Sequence, residues 1–214
     1  MRKATRIIAA ALGLFAGFGG LEHGYFEMLQ GNTRPEGIMI ASMGAPCVPE
    51  EIWHLCEPAM TILPSFLFTG IISMVLGLIT MVWSAAFVQR KQGGTVLALL
   101  CLGLLLFGGG IFPPVIGIVG GLMGRKINSP VKQQFGPVWR MLARLWPWSI
   151  ILYLVFLFSQ FVIGYFFNEW LMESGALLLP LLILGLLVVS ILTAHGHDLQ
   201  EHAYAEIRQH QLAV

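Results

Sequence analysis

Carboxylate and imidazole side chains recur at helical spacing in the first quarter of the chain. His23 and Glu27 are four residues apart, and Glu51 and His54 are three apart, so each pair would share one face of a helix. Carboxylate oxygens and imidazole nitrogens bind zinc and other transition metals. Together with Glu22, these residues are the candidate metal ligands. The alternative is that they are salt-bridged or hydrated polar groups at helix ends. A transition metal is the one cofactor that this pattern suggests, and no other is predicted.

A second histidine cluster lies near the carboxyl end of the chain, comprising His195, His197, Asp198, Glu201 and His202. It could form another metal site. Gly196 lies within it, however, and glycine weakens a helix. The cluster is therefore predicted to belong to a solvated polar tail.

Cys47 and Cys56 are nine residues apart in a polar segment, which is compatible with a disulfide in an oxidising compartment. Two reduced thiols are the alternative. Cys101 lies in an apolar run and is predicted to be a small core residue.

The elements that must position these residues are membrane helices. The chain of 214 residues is 57% hydrophobic and 11% charged, with a mean hydropathy of +0.79. Apolar runs reach the roughly 20 residues that a helix needs to cross a bilayer. The sequence predicts one all-α membrane domain, 1–214, with a 31–58 extracytoplasmic segment. The predicted helical segments are 5–30, 59–88, 95–123, 148–168 and 175–194.

The 95–123 segment is broken in its middle by Gly108, Gly109, Gly110, Pro113 and Pro114. Glycine tolerates unusual backbone dihedrals, and proline removes an amide donor and interrupts a helix. We predict a re-entrant hairpin here, with a left-handed or close-packed backbone at Gly109, in addition to four transmembrane helices. One kinked and tilted helix, giving five crossings, is the alternative.

The distribution of lysine and arginine favours the hairpin. If 95–123 returns to its side of entry, eleven of the twelve basic residues fall on one side of the membrane. Five crossings would instead divide them seven to five. By the positive-inside rule, the N-terminus, the 125–144 segment and the C-terminal tail are predicted to be cytoplasmic, in the plasma (inner) membrane.

The first apolar run resembles a secretory signal because Arg2, Lys3 and Arg6 precede it. We predict a retained helix instead, since the polar side of the pattern continues beyond the apolar run. A stripe of small residues along it would let another helix approach closely. The stripe consists of Gly13, Gly17, Gly20 and Gly24.

The specific activity does not follow from these patterns. The predicted function is a non-catalytic membrane subunit or scaffold that contacts the lipid bilayer and other membrane proteins or a second copy of itself. The alternatives are a small channel or transporter that uses the Gly/Pro hairpin, and a metal-dependent membrane enzyme. A net charge of +1 gives no reason to expect a nucleic acid partner.

Overall fold

The computed structural model describes residues 1–41, 57–131, 135–170 and 176–212. The protein is mostly helical, at 74%. The helices are α1 (Lys3–Leu29), α2 (Phe66–Ala86), α3 (Gly93–Leu106), α4 (Phe112–Gly124), α5 (Pro137–Ala143), α6 (Trp148–Phe166), α7 (Asn168–Trp170) and α8 (Ala176–Leu212). The strands β1 (Met39–Ala41) and β2 (Pro58–Met60) pair antiparallel. The helical class is as predicted, with this small strand pair added.

Three helices in the described part of the chain are long and apolar enough to cross a membrane, namely Lys3–Leu29, Phe66–Ala86 and Leu178–Leu212. Helices α5 and α6 meet the same criterion only as a pair bent by 51°, which raises the number to four. Large apolar side chains such as Val75, Val155 and Val188 are exposed on their outer faces. An apolar surface of this kind suits contact with hydrocarbon.

Helix α1 lies at the centre of the bundle, and its glycine stripe packs against α2. A Cβ added at Gly17 would lie 2.6 Å from the carbonyl oxygen of Gly77, and one added at Gly24 would lie 2.7 Å from that of Gly70. Across the same contact, the Ser73 hydroxyl donates to the carbonyl oxygen of Gly20 over 2.9 Å. The stripe therefore brings together two helices of the same chain.

The 95–123 segment is a helical hairpin, formed by α3 and α4. The start of α3 and the end of α4 adjoin, since a Cβ added at Gly124 would lie 2.9 Å from the Cα of Gly94. The turn depends on Gly108 and Gly110, with φ of +91° and +81°. The alternative of one kinked helix is therefore wrong as a description of this backbone. Gly109 is close-packed, since a Cβ added there would lie 2.9 Å from the carbonyl oxygen of Leu104, while its two neighbours carry the left-handed backbone.

Pro113 and Pro114 fall in the first turn of α4. An amide N–H in this turn has no intrahelical acceptor, so proline begins the helix without the loss of a hydrogen bond. The predicted break is thus formed by the glycines, and the prolines begin the returning helix.

Helix α8 extends to Leu212, so the predicted polar tail after residue 194 is helical. Gly196 does not end the helix because it lies where α5 crosses closely. A Cβ at this position would be 3.0 Å from the carbonyl oxygen of Trp139. The same crossing packs the ring of Trp139 edge-on against His195, with centroids 4.9 Å apart.

Candidate polar site at the carboxyl end of helix α1

Two ionisable side chains of α1 are buried near its carboxyl end. His23 is 1% exposed and Glu27 is 0% exposed. They lie one helical turn apart, as their spacing predicts, and so they share a face. This face is turned into the protein, toward the α3–α4 hairpin and toward Glu57, which directly precedes β2.

His23 contacts a carboxylate from outside α1. Its Nε2 lies 3.2 Å from Oε2 of Glu57, the residue immediately before β2. An N–H on Nε2 donates to that carboxylate, and a protonated ring forms an ion pair with it. Glu57 is partly exposed, with 32% of its side chain accessible, so the pair joins the buried interior to the surface.

Glu27 is enclosed in a different way. Neither of its carboxylate oxygens has a hydrogen-bond partner in the described part of the chain. Most buried polar atoms in proteins are hydrogen-bonded, and an isolated buried carboxylate is costly. A side chain of this kind in a helix that suits the membrane indicates a functional site.

The turn of the hairpin covers both side chains, and we call Gly108, Gly109 and Gly110 the glycine cap. A Cβ at Gly108 would lie 2.6 Å from Oε1 of Glu27 and nearer still to Oε2, and a Cβ at Gly110 would lie 2.6 Å from Nε2 of His23. Only residues without a side chain allow the backbone to come this close. Glycine is therefore required here both by dihedral angle and by space.

Hydrogen bonds to the β2 segment hold the glycine cap in place. The amide of Gly108 donates to the carbonyl oxygen of Met60 over 2.8 Å, and Thr61 pairs with Phe107 as an isolated bridge. The hydroxyl of Thr61 lies 2.7 Å from that of Thr69 at the start of α2. The β2 segment and the start of α2 thus fix the backbone that covers Glu27.

The structure brings together only part of the predicted ligand set. His23 and Glu27 are buried beneath the glycine cap, and Glu22 lines an adjoining cavity. Glu51 and His54, like Cys47 and Cys56, lie outside the described residues. Cys101 is a buried free thiol, as predicted for a core residue.

The residue that sequence reasoning missed is Glu57. It is not among the candidate ligands predicted from the sequence. Its position in the acidic outer segment, directly before Pro58, was the signal available. We call His23, Glu27 and Glu57 the carboxylate site.

The second histidine cluster stabilises the fold. The carboxylate of Asp198 accepts hydrogen bonds from the amides of Ala4 and Thr5, over 2.9 and 3.0 Å, and from the Thr5 hydroxyl over 2.6 Å. These amides are unpaired donors at the start of α1, so Asp198 caps that helix from α8. Glu201 forms a 3.3 Å ion pair with Lys3.

Donor spacing and donor availability point to different clusters. Within the described residues, the three donor groups that lie within 4.8 Å of one another are those of His197, Asp198 and Glu201. However, both oxygens of Asp198 already accept hydrogen bonds from α1. At the carboxylate site, where the donor atoms are more widely spaced, Glu27 has both oxygens available. Three of the four lone-pair sites of Asp198 are in use, whereas all four of Glu27 are free, and this availability favours the carboxylate site.

No protein-family model, curated protein or solved structure matches this chain, so its own residues carry the functional argument.

Proposed function

We propose that this protein is a multi-pass membrane protein that binds a divalent transition-metal cation at the carboxylate site. The observation that carries the proposal is the carboxylate of Glu27, fully buried and without a hydrogen-bond partner in the described chain. A bound cation would supply the positive charge that this group lacks. His23 and Glu57, already in contact, would supply the other protein ligands.

The chemistry of the donors fits such an ion. Two carboxylates and one imidazole form a mixed oxygen and nitrogen set, which suits Zn²⁺, Mn²⁺ or Fe²⁺. Three protein ligands leave a coordination position for water or substrate, which is the arrangement of catalytic rather than structural zinc sites. Among the alternatives drawn from the sequence, this donor set favours the metal-dependent membrane enzyme.

We further propose four crossings, through α1, α2, α6 and α8, with the α3–α4 hairpin entering and leaving from one side. Its two ends adjoin at Gly94 and Gly124, which supports a return to the side of entry. The Arg2 side chain donates to the carbonyl oxygens of Ser129 and Pro130, over 3.3 and 2.9 Å, so the N-terminus and the basic 125–131 segment lie together. The charge distribution makes that side cytoplasmic.

Impermeant thiol labelling in intact cells tests this orientation, using single cysteines at two exposed positions. Ser129→Cys is expected to stay unlabelled until the cells are opened, whereas Glu36→Cys should be labelled from outside. Labelling of Ser129→Cys in intact cells would reject the orientation.

One observation that supported the scaffold function, the glycine stripe of α1, no longer supports it. The glycine stripe is occupied by α2 of the same chain, which leaves the exposed apolar faces of the helices as candidate contacts. Lipid covers such faces equally well. Copurification of a stoichiometric partner from gently solubilised membranes would favour the scaffold over the metal-binding function.

Metal analysis of the purified protein tests the main proposal. Protein stripped with a chelator and reloaded with Zn²⁺, Mn²⁺ or Fe²⁺ should retain a stoichiometric amount of one of them. Glu27→Gln and Glu57→Gln should lower that amount at least about tenfold, since loss of a first ligand weakens a site more than loss of its supporting residues.

The matched control is His197→Ala, which removes a possible ligand from the other cluster and should leave metal content unchanged. Loss of bound metal in His197→Ala, or no bound metal in any preparation, would reject the proposal.

A further inference from the structure

A cavity of about 240 Å³ adjoins the carboxylate site and lies among α1, α4, α6 and α8. Most of its lining is apolar, including Phe15, Ile116, Leu157 and Ile183. At roughly 30 Å³ for a molecule the size of water, the space would hold about eight heavy atoms. The lining and the volume suit one short alkyl chain.

The polar lining of this cavity is acidic. Glu22 and Glu57 both contribute to it, and no lysine or arginine does so. Gln160 adds a buried amide whose Oε1 lacks a hydrogen-bond partner in the described part of the chain. The carboxylates attract a positive charge, and the amide oxygen can accept a hydrogen bond from an N–H group.

The cavity also borders the surface that hydrocarbon would cover. Phe18 and Phe112 line it, yet they are 39% and 46% exposed on the outside of the bundle. A molecule with an alkyl chain could therefore reach the space from the bilayer without crossing water. Along α1, the cavity lies beside the carboxyl-terminal half of the helix, which also carries Glu22 and His23.

We infer that this cavity binds a cationic amphiphile, a single alkyl chain that bears a primary amine. The chain fills the apolar space, and the ammonium group faces Glu22 and Glu57 and donates to Gln160. The inference goes beyond the proposed metal site. It shares Glu57 with that site but depends on the lining of the cavity, and not on a bound metal.

Photolabelling of the full chain in nanodiscs of zwitterionic lipid tests the inference. The probe is octylamine that carries a diazirine near the end of its chain, compared with the matched octanol and octanoate probes. The amine should label peptides that contain Phe15 and Ile183 on the order of tenfold more than the carboxylate does, because the lining is acidic. Equal labelling by the three probes would overturn the inference.

Two variants locate the site. Ile183→Phe fills the cavity and should reduce labelling by the amine severalfold, whereas Leu184→Phe, a comparable enlargement of an exposed neighbour, should not. Glu22→Gln should reduce labelling by the amine but not by octanol, and it retains the shape of the side chain. If Ile183→Phe fails to fold, the Glu22→Gln result decides. Unchanged labelling of Glu22→Gln by the amine would overturn the inference.

Metal content measured on the same samples separates this inference from the proposed function. Glu27 is not part of the cavity lining, so Glu27→Gln should lose metal and retain labelling by the amine. Selective labelling in a protein that never binds metal would leave the amphiphile site standing and reject the metal site. Bound metal without selective labelling would do the reverse.

Discussion

The two ends of helix α1 both place acidic residues near histidines, but they treat the carboxylates in opposite ways. At the amino end, Asp198 accepts three hydrogen bonds from the first turn of α1. At the carboxyl end, Glu27 is more deeply buried and has no hydrogen-bond partner among the described residues. The carboxylate of Asp198 caps the start of α1, and the carboxylate of Glu27 still has its oxygen lone pairs free to bind a ligand.

This difference shows how to interpret clusters of similar composition. The cluster at the amino end has the closer spacing of donor atoms, and by distance alone it would be the better metal site. When the lone pairs already used in hydrogen bonds are counted, the carboxylate site becomes the better candidate, because Asp198 uses three and Glu27 uses none. The backbone differs too, because the glycine cap lies directly against the Glu27 carboxylate without donating a hydrogen bond to it, whereas the first turn of α1 donates to Asp198.

The largest expected effect comes from placing a side chain on the glycine cap. Gly108→Ala adds a methyl group at φ +91° and in the space of the Glu27 carboxylate. Strain of the left-handed backbone and overpacking should together lower the free energy of unfolding by about 3 kcal/mol. Unfolding in mild detergent measures it.

The control is Gly185→Ala in α8, where an added Cβ meets nothing within 4 Å. This change should be neutral or slightly stabilising, since alanine is the better helix former. Equal stability of the two variants would mean that the glycine cap does not lie against Glu27.

Asp198→Ala should have the next largest effect. It removes the acceptor for two amides and one hydroxyl of α1, which should cost about 2 kcal/mol of stability. Asp198→Asn retains one acceptor oxygen and should lose about half as much. Metal content should be unchanged in both variants. Loss of metal with no loss of stability would exchange the roles of the two clusters.

Much of this architecture could be predicted from the sequence, because it follows from local properties. Uninterrupted apolar runs predicted the long apolar helices, and the consecutive glycines followed by Pro113 and Pro114 predicted the break between α3 and α4. The spacing of His23 and Glu27 predicted their common face. Each of these depends on residues close together in the chain.

The sequence did not show which distant residues would contact each of these features. The glycine stripe of α1 was expected to face other proteins, yet Gly70 and Gly77, two turns apart on α2, fill that role. Glu57 joins His23 only because β2 holds the chain beside the hairpin. Gly196 continues a helix because α5 passes over it. Such contacts depend on tertiary packing, which the spacing of residues does not encode.

Replacing Glu27 with an apolar side chain tests its lack of a partner. Glu27→Met has a similar length and removes a buried carboxylate, so the metal-free protein should be stabilised by about 1 kcal/mol. The same protein should lose any stabilisation by added metal, which binding to the native state otherwise provides. A fall in stability as large as that of Asp198→Ala would show that Glu27 has a structural partner.

The smallest expected effect is at the ion pair between Lys3 and Glu201, which tests what stabilises the amino end of α1. These side chains are 68% and 41% exposed, so water and salt screen their attraction. Lys3→Met should therefore change the free energy of unfolding by no more than about 0.5 kcal/mol. Asp198 acts at the same helix start but binds the buried amides of Ala4 and Thr5, whose hydrogen bonds are not screened in this way. If Lys3→Met were as destabilising as Asp198→Ala, surface charge rather than helix capping would hold α8 to α1, and the contrast between the two ends of α1 would have to be abandoned.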